Sequence, residues 1–145
     1  MSEKKQKNFQ ENDNFSNDLL QRIETACECL IYTSETDAPV TAFRGSAVAE
    51  VTGQIILQQT GGKADAAIRE AAFEAFFEQL TAIKNWFGEA ETAKAKKFIE
   101  LKKLLEENLR SLKVYRVGTV QIDIYIAGID GEGMLAGVKT KAVET

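Results

Sequence analysis

The sequence predicts an α+β fold, with helices packed on both sides of a mostly antiparallel sheet. Three observations predict it. Apolar residues recur at helical spacing through much of residues 17–112, and they alternate with polar ones in residues 114–145. The helices come mainly before the strands, so the segments do not read as a chain of parallel βαβ units. A length of 145 residues fits one domain, able to bury roughly two-thirds of its unfolded surface without a disulfide or metal staple.

Residues 1–15 are polar and charged and are expected to form a disordered tail ahead of a single domain, residues 16–145. Met1 to Asn14 contains no apolar stretch, so it does not read as a signal peptide. Ser16 caps a helix predicted over Asn17–Cys29, with Leu19, Leu20, Ile23, Cys27 and Leu30 on one face. Ser34, Asp37 and Pro39 then predict a loop, because these residues favour turns and Pro39 keeps Ala38 out of the helical region. Val40–Arg44 reads as a short strand ended by Gly45. Residues 47–60 are consistent with a buried strand or a short helix, and Gly61-Gly62 ends them.

Asp65 is placed to cap a helix over Ala66–Leu80, striped by Ile68, Ala72, Phe76 and Leu80. A loop follows with Asn85-Trp86-Phe87-Gly88. The helix predicted over Glu89–Leu112 has the plainest pattern, with Phe98, Leu101, Leu104, Leu105, Leu109 and Leu112 on one side and Lys and Glu opposite. Tyr115–Val117 reads as a strand, Gly118-Thr119 as a two-residue turn, and Ile122, Ile124 and Ile126 as the core face of the next strand. Gly128–Gly133 forms a loop and Met134–Lys139 a third strand, after which the chain stops at Thr145. A terminus ordered in this way would deliver a carboxylate to a fixed place.

Composition removes several functions. A net charge of −4 argues against a protein that binds nucleic acid by neutralising phosphates, and it suits a partner with a basic face. No apolar run is long enough to span a membrane. Two cysteines, Cys27 and Cys29, stand one residue apart and would point to different helix faces, so they read as free thiols of a reducing compartment. Cytoplasmic residence follows by default. There is no histidine, which takes away the commonest general base and metal ligand. No CxxC, HExxH or GxSxG pattern occurs, and Gly61-Gly62-Lys63 lacks the glycine spacing of a phosphate loop. An enzyme built on this chain would therefore have to rely on paired carboxylates, and no cofactor is expected.

Three places are candidate contact sites. They are the acidic turn Ser34-Glu35-Thr36-Asp37, the loop residue Trp86, and the closing pair Glu144-Thr145. Taken alone, each has an ordinary structural explanation: a turn capping its own backbone, an aromatic plug of the core, and a frayed end.

The segment Val114–Thr145 resembles the terminal hairpin, loop and strand of the nuclease A inhibitor family. The likeness rests on Val114-Tyr115-Arg116, Leu135-Ala136-Gly137 and Val143-Glu144-Thr145. Ile56-Leu57-Gln58-Gln59-Thr60-Gly61 and Ser34-Glu35 followed by Pro39 resemble two further family motifs, and Trp86 falls where the family places an aromatic. The likeness spans about residues 16–145. It implies a three-layer α/β/α sandwich that inhibits a metal-dependent, sugar-nonspecific endonuclease in a 1:1 complex and is a monomer when free. It also implies that Thr145 enters the nuclease's active site and meets its magnesium, directly or through water. Glu35 would engage a basic residue of the partner, and Trp86 would pack in the contact, with Ser34 and Glu144 beside them.

The sequence departs from the family in residues 1–15, which extend beyond its usual start, and in the alanine-rich Lys63–Glu78. Those departures motivate an alternative, a non-catalytic protein-binding adaptor on the same scaffold.

Overall fold

A computed structural model describes residues 18–62 and 66–145. The predicted disordered tail and the Asp65 cap lie outside the described residues. Helix α1 occupies residues 18–26. It is followed by β1 (Ile31–Thr33), β2 (Asp37–Pro39), β3 (Thr41–Ala47), α2 (Gly53–Thr60), β4 (Ile68–Ala71), α3 (Phe73–Thr81), α4 (Glu89–Asn108), β5 (Arg110–Val117), β6 (Gln121–Ile129) and β7 (Met134–Val143). Strands β3 to β7 form one antiparallel sheet in the order β3-β7-β6-β5-β4, and β1 and β2 form a separate hairpin. The fold is α+β, as the sequence predicts.

Two cores lie on the two faces of the sheet. On one, Leu19 and Ile23 of α1, Phe77 of α3, and Phe98, Leu101 and Leu105 of α4 pack with Val114, Ile122, Ile124, Ile126 and Val138. On the other, Ile56 and Leu57 of α2 pack with Tyr115, Val117, Tyr125, Ala127, Ile129 and Leu135. The alternation in β6 is therefore less one-sided than its isoleucines predict, because Tyr125, Ala127 and Ile129 are buried against α2. Complete burial of a side chain such as Ile124 or Ile126 contributes about 1.5–3 kcal/mol.

Several boundaries move for local reasons. Helix α1 ends at Ala26, and residues 27–29 turn, with Cys29 in the left-handed region at φ 57°. Cys27 is buried and Cys29 exposed, and both are free. The loop predicted around Ser34–Pro39 is a hairpin that pairs Ile31 with Pro39 and Thr33 with Asp37. The turn residues do make its tip, where Ser34 N donates to Thr36 O at 2.8 Å. Strand β3 continues through Gly45 to Ala47 with a bulge. A Cβ at Gly45 would sit 2.0 Å from Gln59 Oε1, the atom that accepts from Ser46 N at 2.7 Å. The ambiguous segment resolves as α2, capped by the Thr52 hydroxyl on Ile55 N at 3.1 Å and ended by Gly61 in the left-handed region.

The largest correction concerns the predicted helix over residues 66–80. Ile68–Ala71 form edge strand β4, paired with Val114–Val117, and helix α3 starts only at Phe73. Strand pairing outweighs the helical preference of an alanine-rich stretch. Helix α4 begins as predicted, with Gly88 N donating to Glu91 Oε1 at 3.4 Å. It stops at Asn108 rather than Leu112, because Arg110 already pairs with Ile129. The β5–β6 connection is three residues, 118–120, with Gly118 at φ 114° where a Cβ would meet Gln121 O at 2.2 Å. Strand β6 runs past Gly128 to Ile129, and β7 runs past Lys139 to Val143. Among the described residues no helix is long and apolar enough to cross a membrane.

Candidate functional site

Chain reversals bring the candidate residues to one end of the sheet. Lys94, early in α4, reaches Thr33 of the β1–β2 hairpin, which places the start of α4 near the Val117 end of β5, with the 82–88 loop just before it in sequence. Strand β6 starts there at Gln121, whose partner is Val143 at the end of β7. The β1–β2 hairpin reaches the same end. Lys94 Nζ of α4 donates to Thr33 Oγ1 at 3.0 Å, and Glu35 N donates to Val143 O at 3.3 Å.

The hairpin tip and the tail are held together. Val143 N donates to Ser34 Oγ at 2.9 Å, and Glu144 N donates to Val120 O at 3.0 Å. The Glu144 carboxylate is ion-paired with the Arg116 guanidinium. Thr145 donates its backbone N–H to Glu35 Oε2 at 2.5 Å and its hydroxyl to Glu35 Oε1 at 2.7 Å. These bonds stabilise the ionised form, so the Glu35 carboxyl is held below its ordinary range, first by the hydroxyl and then by the backbone N–H. Glu35, Glu144 and Thr145 remain exposed, while Ser34 is half-buried.

Trp86 stands apart from this cluster. Its side chain is 76% exposed, so it does not plug the core, and its ring meets only Phe87 edge-on at 6.3 Å among the described aromatic pairs. Ile83, on the same loop, is also exposed. Glu35, Thr145, Ser34 and Glu144 are thus joined through the tail, and Trp86, on the loop that leads into α4, makes no described hydrogen bond to any of them.

Two residues at this end carry contacts that sequence reasoning did not single out. Arg116 belongs to a strand motif, but nothing in the local pattern pairs it with a residue 28 positions later, since β-strand alternation reports a face and not a partner. Val120 is a large exposed apolar side chain on the loop whose carbonyl holds Glu144. An apolar β-branched residue in a tight strand connection was its one available signal. Among the described residues, no three acidic or cysteine side chains gather closely enough to hold a metal ion.

The architecture is an α+β sandwich with an exposed tryptophan, an acidic hairpin tip and a clasped tail at one end. Residues 17–145 match the model of the nuclease A inhibitor-like protein family, and the chain belongs to that family. Membership implies a role in inhibiting a nuclease. No curated protein matches the chain.

Proposed function

We propose that this protein inhibits a metal-dependent, sugar-nonspecific DNA/RNA endonuclease by docking the end of the sandwich that carries Thr145, Glu35 and Trp86 into the nuclease's active site. The observation that carries this reading is the double hydrogen bond from Thr145 to Glu35, which puts a tail oxygen and an exposed carboxylate side by side. Magnesium is a hard cation that prefers oxygen ligands, so Thr145 suits the place of a scissile phosphate at the partner's metal, directly or through water. Each Glu35 oxygen has two acceptor sites and spends one on Thr145, which leaves capacity for a basic residue of the partner. An exposed tryptophan on a short loop is suited to anchor the contact once the partner covers it. The net charge of −4 favours encounter with a cleft shaped for nucleic acid.

In this reading Ser34 and Glu144 border the contact, the complex is 1:1, and the protein has no catalytic role. The free protein is a cytoplasmic monomer, and its two unbridged thiols fit a reducing compartment. The test is titration of the intact protein, and of a variant lacking Thr145, into a magnesium-dependent sugar-nonspecific endonuclease from the same cell. Stoichiometric inhibition that the truncation weakens strongly is expected. A folded intact protein that leaves the nuclease fully active would overturn the proposal.

A further inference from the structure

We propose that Arg116 is a positioning residue: with Ser34 it holds the tail in its plugging conformation before any partner arrives. This inference rests on the inhibitor reading for its consequence, but its physical content concerns the free protein. The last paired position of β7 is Val143, opposite Gln121, so the sheet ladder does not order Glu144 and Thr145. Their order comes instead from contacts made by separate elements. Ser34 of the hairpin fixes Val143 N, the Val120 carbonyl fixes Glu144 N, and Arg116 of β5 fixes the Glu144 carboxylate.

Arg116 is the member of this set with the strongest need for its partner. Its side chain is 19% exposed, against 49% for Glu144. Most of the Arg116 side chain is packed away from water, and its charge meets the Glu144 carboxylate that the tail supplies. The cross-strand neighbour of Arg116 is Arg69, a second cation in register with it, which deepens the local positive potential. The Glu35 carboxylate is exposed and would by itself hold Thr145 only weakly. Arg116 draws Glu144 inward, which brings Thr145 within reach of Glu35. A tail already ordered avoids the entropy of fixing its residues on binding, which is worth on the order of tenfold in affinity per residue.

The test compares Arg116→Glu, Glu144→Arg and their double charge exchange with the natural protein. Amide-hydrogen exchange at Glu144 and Thr145 is measured in the free protein, alongside inhibition of a magnesium-dependent sugar-nonspecific endonuclease. Each single variant is expected to speed tail exchange and weaken inhibition by about tenfold or more, with the double exchange restoring both. Should Arg116→Glu fail to fold, Glu144→Gln neutralises the pair from its exposed side and is expected to speed tail exchange in the same way. Unchanged exchange in a folded Glu144→Gln protein, or a folded double exchange that restores nothing, would overturn the proposal. If the natural protein inhibits no nuclease, the inhibitor reading fails, while tail exchange still decides the role of Arg116.

Discussion

Thr145 places two donors on one carboxylate, its backbone N–H on Glu35 Oε2 and its hydroxyl on Glu35 Oε1, across a separation of 110 residues. This clasp joins the end of the chain to the tip of the first hairpin. It is also a titratable latch.

Because Thr145 stabilises ionised Glu35, the folded carboxyl titrates below its ordinary value of 4.5. The sign follows from linkage: the clasp's contribution is fully present above the ordinary glutamate range and is lost as pH falls through the lowered folded value. NMR titration should show the Thr145 amide resonance shifting with the Glu35 carboxyl in acid. Glu35→Gln should remove the part of that shift that follows Glu35 and leave the part due to the terminal carboxylate of Thr145. A Thr145 amide that titrates identically in the Gln variant would show that another group governs it.

Trp86→Ala should separate binding from stability. The side chain is 76% exposed, so unfolding free energy should change by no more than about 0.5 kcal/mol. Affinity for the nuclease should fall by about 2 kcal/mol or more if the ring is an anchor. Calorimetric titration beside a urea melt checks both halves.

Asp130 should matter to the fold and not to the tail. It is 3% exposed, and its Oδ1 accepts from Glu132 N at 2.8 Å and Met134 N at 3.0 Å, which shapes the β6–β7 turn. Its other oxygen faces Arg44 Nε at 3.7 Å, a buried nitrogen with no hydrogen-bond acceptor. Asp130→Ala leaves Arg44 with Glu132 alone, at 3.4 Å, and leaves two turn amides without their acceptor, so it should cost about 1–3 kcal/mol, measured by urea denaturation. Loss of less than about 1 kcal/mol would mean that Arg44 swings out to solvent at little cost.

The thiols should react at very different rates. Burial pushes the Cys27 thiol up to about 12, with Glu24 adding to the shift, whereas Cys29 is exposed. Iodoacetamide at pH 8 should label Cys29 in the folded protein and reach Cys27 only when denaturant is added. Peptide mass mapping before and after denaturation distinguishes the two.

Much of the fold was legible where one element carried a long, regular pattern. Phe98, Leu101 and Leu105 announced α4, and Ile122, Ile124 and Ile126 announced β6, because burial of a face repeats at the period of the backbone. Three-residue strands such as β1 and β2 hold too few positions to show alternation, so only the turn between them was visible. At the site, Glu35, Trp86 and Thr145 were picked out through family resemblance, and their residue types alone favoured an ordinary turn, a core plug and a frayed end.

The class of fold, the core residues of α4 and β6 and the lack of histidine chemistry can all be read along the chain. These follow from composition and from periodicities that belong to a single segment. That Ile68–Ala71 is a strand follows from packing, since the free edge of β5 binds that backbone and local preference cannot register a partner more than 40 residues away. The tertiary structure alone also decided that Glu144 meets Arg116, that Thr145 meets Glu35, and that Trp86 faces solvent. Hydrogen bonds and ion pairs are made between side chains close in space, and chain reversal, not sequence distance, sets which ones those are.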